Sequence, residues 1–239
     1  MIDTAVLLSA GLGTRLGART ANKPKVMVDI LGKPLLGYHF DWLRKHGVKR
    51  ALINLHYLPD VIRDYAGDGC AFGLQIRYSL EESLQGTAGA LNGFRDLVTG
   101  TTLVHYGDVY SEMDIGMLAA YHREKRALAT LVVHETHRPH DSDVVRLGEG
   151  ARVLSVHHKP GSYEFGNIGN AASMIVEPGI LRYLPTERRT WDWIQDVIPQ
   201  AIAAGEPIFG YDTDELTMDM GTPERLEKLE ALLSVRQRA

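Results

Sequence analysis

The chain of 239 residues contains one cysteine, Cys70, so it cannot form an internal disulfide. A single cysteine also excludes the cysteine-rich sites that hold structural zinc. No apolar run approaches the ~20 residues that a membrane-spanning helix needs, and Asp3 stands where a signal peptide would begin with basic residues. These absences predict a protein of a reducing compartment, with the cytoplasm as its expected location and no membrane partner.

An excess of positive charge is also missing. Lysine and arginine total 26 against 30 aspartates and glutamates, and the net charge of −4 gives no general field for nucleic acid. Any polyanion must therefore bind at a local basic site. The chain has no long linker, low-complexity tract or internal repeat, so we expect one domain over residues 1–239. The composition leaves open whether the chain forms a homo-oligomer.

Strand-like and helix-like segments alternate along the first part of the chain. Short apolar runs predict strands, and apolar residues at helical spacing predict helices. The predicted strands are Ala5–Leu8, Lys25–Ile30, Arg50–Leu55, Leu74–Tyr78, Thr102–Tyr106, Ala129–His134 and Ala171–Val176, and the predicted helices are Leu35–His46, Asp60–Tyr65, Thr87–Leu97 and Ile115–Lys125. This alternation predicts a mostly parallel sheet with helices on both faces.

The second part of the chain is less regular. Val144–Leu147 and Val153–His157 flank the turn Gly148-Glu149-Gly150, which predicts a small β-rich insertion. Trp191–Ala203 has helical spacing, although Pro199 is expected to split it. A final helix is predicted to begin at Thr222-Pro223, since threonine can cap a helix and proline suits its first position.

The first predicted strand leads into a glycine-rich turn that carries basic residues. Glycines allow backbone N–H groups to approach a ligand closely, and such a turn can form an anion-binding nest. Arg15 and Lys25 add two cations, so the pattern predicts a polyphosphate site. The turn is not a P-loop, because it lacks Gly-Lys-Ser/Thr. It is not a typical dinucleotide-binding turn either, because Leu16 replaces the third glycine, which disfavours a dinucleotide-dependent oxidoreductase.

The run Gly11-Leu12-Gly13-Thr14-Arg15-Leu16, followed by Pro24-Lys25, resembles the signature loop of sugar-1-phosphate nucleotidyltransferases. Further segments resemble that family in its own order along the chain. They are Gly86-Thr87-Ala88-Gly89, Gly107-Asp108, Lys159-Pro160, Gly169-Asn170-Ala171-Ala172 and Asp219-Met220-Gly221-Thr222-Pro223. Two positions depart from the family pattern: His158 stands where the family has glutamate, and Ala172 where it has glycine.

The resemblance implies a three-layer α/β/α Rossmann-like fold of the GT-A type, with a mostly parallel mixed sheet and a small β-rich insertion. It also implies Mg²⁺ as the cofactor, and an NTP and a sugar 1-phosphate as partners. The implied roles are Arg15, Lys25 and Asp108 in catalysis; Ser9, Ala10, Gly11, Gly13, Thr14, Glu81, Gly86 and Thr87 in nucleotide binding; Gly107, Lys159 and Asn170 in sugar-phosphate binding; and Asp108 and Asp219 on the metal.

Each carboxylate also has an ordinary structural interpretation. Asp108 could cap the helix predicted at Ile115 or form a turn. Asp219 could be a loop carboxylate near the N-terminus of the last helix, where the helix dipole favours it. Glu81 could form a solvated pair with Glu82, or it could read guanine, whose adjacent N1–H and N2–H groups match a carboxylate that only accepts hydrogen bonds.

These patterns favour a guanylyltransferase that acts on a heptose 1-phosphate. The runs His137–Asp143 and Gly166–Ala172 resemble the D-glycero-α-D-manno-heptose-1-phosphate enzymes. The alternatives within the family are a mannose-1-phosphate guanylyltransferase and a uridylyl- or thymidylyltransferase. An alternative of another class is a non-catalytic sugar-nucleotide sensor, although the presence of both carboxylates and both cations favours an enzyme.

Overall fold

The computed structural model describes residues 2–138, 141–187 and 189–238, apart from the side chains of residues 18, 237 and 238. Four parallel strands form the centre of its main sheet: β1 (Thr4–Leu8), β4 (Arg50–Leu55), β5 (Gln75–Leu80) and β6 (Thr102–Tyr106), in the order β6-β1-β4-β5. Their bounds agree closely with the sequence prediction, since β1, β4 and β6 are short apolar runs that are almost wholly buried.

The sheet continues beyond β6 with antiparallel strands. β11 (Ile168–Val176) pairs with β6, and β8 (Ala129–Glu135) pairs with β11. The predicted hairpin is present as β9 (Val144–Leu147) and β10 (Val153–His157), and it joins the sheet through β11. The edge strand β12 (Ile208–Asp212) lies parallel to β8. The expected mixed α/β architecture is therefore confirmed.

Helices cover both faces of this sheet. One apolar core lies under α1 (Leu35–Lys45), α2 (Pro59–Ala66) and α4 (Ile115–Glu124). The opposite core contains the 3₁₀ helix Ala90–Phe94 and α5 (Ile198–Ala203). Adjacent strand residues alternate between these cores, as Val6 and Leu7 of β1 show. Across the described ranges, no helix has the length and apolar character needed to cross a bilayer.

A third, smaller core closes one side of the glycine turn. It contains Leu16, Ile30 and Met220 and is covered by α6 (Pro223–Arg238). Two short antiparallel pairs border it, β2 (Asp29–Ile30) with β3 (Lys33–Pro34), and β7 (Val109–Ser111) with β13 (Thr217–Asp219). This core therefore brings the C-terminal part of the chain beside the N-terminal loop.

Three predicted elements differ from the structure. Lys25–Met27 is a buried 3₁₀ turn, so the extended piece predicted for Lys25–Ile30 was wrong over its first half. The helix predicted at Thr87–Leu97 is a short α3 (Gly86–Gly89) that continues as the 3₁₀ helix Ala90–Phe94. The helix predicted at Trp191–Ala203 begins as a wide π turn, Trp193–Val197, before α5.

Candidate active site

The carboxyl edge of the parallel strands opens into a cavity of about 490 Å³, which we call the loop cavity. Its lining includes all of the residues that the sequence assigns to catalysis and nucleotide binding. These are Ser9, Ala10, Gly11, Gly13, Thr14, Arg15, Lys25, Glu81, Gly86, Thr87 and Asp108. Parallel strands place their C-terminal ends at one edge, which is why residues so distant in sequence meet here.

The glycine turn follows β1 and bends back on itself. The Gly13 carbonyl accepts hydrogen bonds from Leu16 N at 3.0 Å and from the Thr20 hydroxyl at 2.9 Å. Arg15 is exposed at the mouth of the loop cavity. The turn thus has its own internal bonds and leaves a guanidinium directed to solvent, where a polyphosphate could meet it.

Lys25 differs from Arg15 because it is only 8% exposed. Its Nζ forms an ion pair with the carboxylate of Asp108, which follows β6 and also lines the loop cavity. Asp108 is not a helix cap, because the Asp114 carboxylate accepts the Met117 N–H at the start of α4. The structure therefore brings one cation and one carboxylate of the predicted set into direct contact.

Asp219 ends β13, which pairs with β7, and Asp108 directly precedes β7. Met220, the neighbour of Asp219, donates its N–H to the Asp108 carbonyl at 2.8 Å, and Asp219 is paired with Val109 between β13 and β7. The Asp219 carboxylate forms an ion pair with Arg225 and accepts the Gly221 N–H at 2.9 Å. These contacts match a loop carboxylate near the start of α6, and they leave its metal role a prediction.

Asp219 also borders a second cavity of about 320 Å³, lined by parts of β8, β11 and β13. Gly221, two residues further along the chain, lines the loop cavity. A Cβ atom on Gly221 would come within 2.7 Å of Asp219 Oδ1 and 3.2 Å of Arg15 Nη2. Because Gly221 has no side chain, the Asp219 carboxylate and the Arg15 guanidinium can both lie close to its Cα atom.

Glu81 is buried, with 3% exposure, so a solvated pair with Glu82 was the wrong interpretation. Its Oε1 accepts a hydrogen bond from Asn54 Nδ2 at 2.8 Å, and its Oε2 accepts the Gln85 N–H at 2.9 Å. Asn54 Oδ1 in turn accepts the Ser9 N–H at 2.7 Å. Glu81 therefore fixes the amide that holds the start of the glycine turn, and reading of guanine by Glu81 stays a prediction.

Sequence reasoning missed Asn54. It interrupts the apolar residues of β4 between Ile53 and Leu55, and this lone amide within an apolar run was the available signal. Buried polar side chains are usually hydrogen-bonded, so its partner had to lie on a neighbouring element.

The segment Gly86–Gly89 is held by backbone contacts from distant residues. Ala88 and Gly89 both donate their N–H groups to the Trp191 carbonyl, at 2.9 and 3.2 Å. Gly86 has φ of +79°, and a Cβ there would lie 2.4 Å from that same carbonyl oxygen. The Thr87 hydroxyl donates to Asp192 Oδ2 at 2.7 Å. Only glycine fits position 86 without displacing the backbone.

The residues assigned to the sugar phosphate are more dispersed. Gly107 is buried, its N–H donates to the Leu8 carbonyl, and its own carbonyl contacts His39. Lys159 is exposed just after β10. Asn170 lines the second cavity, and its Oδ1 is a buried atom without a hydrogen-bond partner. The three positions do not share one cavity, and their role in binding stays a prediction.

His158 replaces the glutamate of the family pattern, and the structure gives it a partner. Its Nδ1 lies 2.7 Å from Asp143 Oδ1. Burial raises the pKa of the Asp143 carboxyl, and the neighbouring His158 opposes that shift. The Asn170 N–H donates to the Asp143 carbonyl at 2.9 Å. The pair therefore lies between two predicted sugar-phosphate residues, Lys159 and Asn170.

Comparisons with known proteins identify the class. Residues 4–235 match the family model described as nucleotidyl transferase, and the chain belongs to that family. Solved structures share the fold: HddC from Yersinia pseudotuberculosis has a TM-score of 0.82 at 24% identity, covering 97% of this chain and 100% of that one. A putative glucose-1-phosphate thymidylyltransferase from Bacillus anthracis has a TM-score of 0.85 at 18% identity, covering 96% and 94%.

The curated relatives are named as nucleotidyltransferases that act on sugar 1-phosphates, which agrees with the resemblance seen in the sequence. The UTP–glucose-1-phosphate uridylyltransferase of Synechocystis is 30% identical over 96% of this chain and 63% of its own length. The mannose-1-phosphate guanylyltransferase of Mycobacterium tuberculosis is 33% identical over 92% of this chain and 61% of its own length. A D-glycero-alpha-D-manno-heptose 1-phosphate guanylyltransferase from Campylobacter jejuni is 35% identical over 48% of this chain and 51% of its own length. The chain spans about three fifths of the first two relatives.

Proposed function

We propose that the protein transfers a nucleoside monophosphate from an NTP to a sugar 1-phosphate and releases pyrophosphate. The favoured substrates are GTP and a heptose 1-phosphate, with a mannose 1-phosphate as the alternative acceptor. The observation that carries the proposal is the loop cavity, where the glycine turn, Arg15 and the Lys25–Asp108 pair face one space of about 490 Å³. That volume is typical of a small-molecule site.

The reaction needs positioning and charge neutralisation more than proton transfer. A sugar-phosphate oxygen attacks the α-phosphorus, and the bond from that phosphorus to the bridging oxygen breaks as pyrophosphate leaves. The nucleophile is already an anion, so no general base is required. In this account Arg15 binds the triphosphate and the leaving pyrophosphate, and Lys25 moves from Asp108 to the α-phosphate as charge develops there.

The carboxylates present fit a magnesium ion. Mg²⁺ is usually held by one or two protein carboxylates together with phosphates and water, and within the described ranges no group of three or more ligating side chains is found. Asp108 and Asp219 are joined through the Met220–Asp108 backbone bond, and each carboxylate is neutralised by a basic side chain that could move. They would hold the ion, which neutralises triphosphate charge when bound.

The preference for guanine has two supports. Two of the relatives are named guanylyltransferases, and the buried Glu81 carboxylate lines the loop cavity. The relative that matches 96% of the chain is named a uridylyltransferase, so UTP is the direct competitor in the assay.

The test is pyrophosphate release by the purified protein. GTP, UTP and dTTP are each combined with heptose, mannose and glucose 1-phosphates, and kcat/KM is compared. We expect the highest value for GTP with a heptose 1-phosphate. Release from UTP alone would overturn the base assignment. Tight binding of a sugar nucleotide without turnover in any combination would show a sensor instead of an enzyme.

Asp219→Asn tests the proposed metal role separately. We expect this variant to fold, because an amide oxygen can still accept the Gly221 N–H, and to need more Mg²⁺ for half-maximal rate. An unchanged Mg²⁺ titration would remove Asp219 from the metal site.

A further inference from the structure

We propose that two buried histidines, His39 and His105, are positioning residues that hold the backbone on either side of Asp108. We call them the histidine pair. The inference relies on the proposed function only for the catalytic use of Asp108. Neither residue belongs to a sequence motif, and neither lines the loop cavity.

The contacts of the histidine pair are directed at the two neighbours of Asp108. His39, on α1, places Nε2 at 2.9 Å from the Gly107 carbonyl oxygen. His105, on β6, places Nε2 at 2.8 Å from the Val109 carbonyl oxygen. A carbonyl oxygen only accepts hydrogen bonds, so each Nε2 must carry a proton.

The other ring nitrogen of His105 agrees with that assignment. Its Nδ1 lies 2.7 Å from the Ser173 hydroxyl, which can donate to a bare nitrogen. The resulting chain of donors runs from Ser173 through the His105 ring to the Val109 carbonyl. Ser173 is paired with His105 across β11 and β6, so the regular sheet sets this orientation.

Three successive carbonyl groups around Asp108 are therefore hydrogen-bonded. His39 holds that of Gly107, Met220 N–H holds that of Asp108 at 2.8 Å, and His105 holds that of Val109. These donors come from α1, from the segment after β13 and from β6. The backbone of Asp108 is thereby fixed from three directions, and its carboxylate is left to adjust by side-chain rotation.

A packing role alone does not explain the histidine pair. The rings are 1% and 0% exposed and meet edge to face, with centroids 4.9 Å apart. Burying two imidazoles costs free energy unless their polar atoms are bonded, and apolar side chains would fill the same core without that cost. Their N–H groups are aimed at the residues before and after one carboxylate, which is what a positioning role requires.

Matched substitutions separate positioning from packing. His39→Leu and His105→Leu remove the donors, whereas His39→Gln and His105→Gln keep an N–H of similar reach. We expect the leucine variants to lose on the order of 10- to 100-fold in kcat, as small misplacements of catalytic groups do, with a raised Mg²⁺ requirement. KM for the NTP should change little, and the glutamine variants should recover most of kcat.

A double-mutant comparison adds a readout that a structural role would not move. In an Asp108→Asn background the carboxylate is already gone, so His105→Leu should cause little further loss of kcat. If His105→Leu lowers kcat as much in the Asp108→Asn background as in the wild type, His105 does not act through Asp108. Leucine variants with wild-type kcat and Mg²⁺ dependence would overturn the inference, whereas an Asp108→Asn protein with normal turnover would overturn the proposed function.

The wild-type protein offers an independent check if the leucine variants do not fold. Histidine ¹⁵N NMR at neutral pH reports which ring nitrogen carries the proton. Both members of the histidine pair should show the Nε2–H tautomer. An Nδ1–H tautomer at either residue would contradict the proposed contacts whatever the protein's activity.

Discussion

The lining of the loop cavity has an exposed part and a buried part, which we call its two walls. On one wall, the glycine turn presents exposed side chains, with Leu12 42% exposed and Arg15 open to solvent. On the other, Lys25 is 8% exposed and paired with Asp108, whose backbone is held by the histidine pair and Met220. Arg15 is therefore open to a ligand in this state, whereas Lys25 is held by Asp108 and has to leave it in the proposed reaction.

The largest expected effect separates the cations of the two walls. Arg15→Ala and Lys25→Ala should each lower kcat by about 10²- to 10³-fold, as loss of an electrostatic contact to the transition state does. Only Lys25→Ala leaves Asp108 without its ion partner, so only that variant should also lower the Tm. Calorimetry and steady-state kinetics on both proteins test this. Equal Tm values, or turnover like the wild type, would remove the distinction between the walls.

A second effect concerns the stability of the buried wall at low pH. Burial lowers the pKa of His39 from 6.5 to about 4. Between those values the unfolded chain binds a proton that the folded protein does not, so stability is full above pH 6.5 and falls as the pH drops toward 4. The loss should approach roughly 3 kcal/mol from this group.

Urea unfolding of the wild type and of His39→Gln between pH 7 and 4.5 measures that contribution. The variant should lose less stability on acidification. Burial also lowers the pKa of His105, so this residue likewise reduces the stability at low pH. Its contribution is the same in both proteins, because both contain His105. Parallel stability curves for the two proteins would show that His39 is not buried in its neutral form.

A third effect compares two glycines of the loop cavity. Gly86→Ala forces a side chain into a left-handed backbone and against the Trp191 carbonyl, and should cost about 2 kcal/mol or more. Gly11→Ala is the control, because its Cβ would meet nothing within 4 Å. It should keep the Tm and raise KM for the NTP. A lower Tm in Gly11→Ala together with an unchanged Tm in Gly86→Ala would show that the exposed wall, not the Gly86 segment, determines stability.

The smallest effect tests Glu81. Glu81→Gln keeps one acceptor oxygen and should lose about 1 kcal/mol of stability by weakening the contact to Asn54 or to Gln85 N. If Glu81 also reads guanine, the preference for GTP over UTP and dTTP should fall, with the exposed Glu82→Gln as the control. A lower Tm with unchanged base preference would leave Glu81 only the role of fixing the glycine turn.

Local patterns predicted the parallel strands well. Arg50–Leu55 and Thr102–Tyr106 have the predicted bounds because short buried runs between turns are a strong signal. The Gly86 segment was less predictable. Its helix tightens after Gly89, where the N–H groups of Ala88 and Gly89 bond to Trp191, about 100 residues away in the chain. No local pattern carries that contact.

The candidate site follows the same division. Arg15, Lys25 and Asp108 belong to motifs and were predicted, and the structure places them around one cavity. Asn54 and the histidine pair lie within predicted strands and helices without any motif. Their roles depend on hydrogen bonds to Ser9, Gly107 and Val109, and a single sequence does not reveal these contacts.

The central claim is that Asp108 and Asp219 serve one magnesium-bound triphosphate. The most direct measurement is a crystal structure with Mg²⁺ and a non-hydrolysable GTP analogue. We expect both carboxylates at about 2.1 Å from one ion, with Lys25 and Arg15 on the phosphates. Carboxylates that stay on Lys25 and Arg225, with the nucleotide away from the glycine turn, would contradict it.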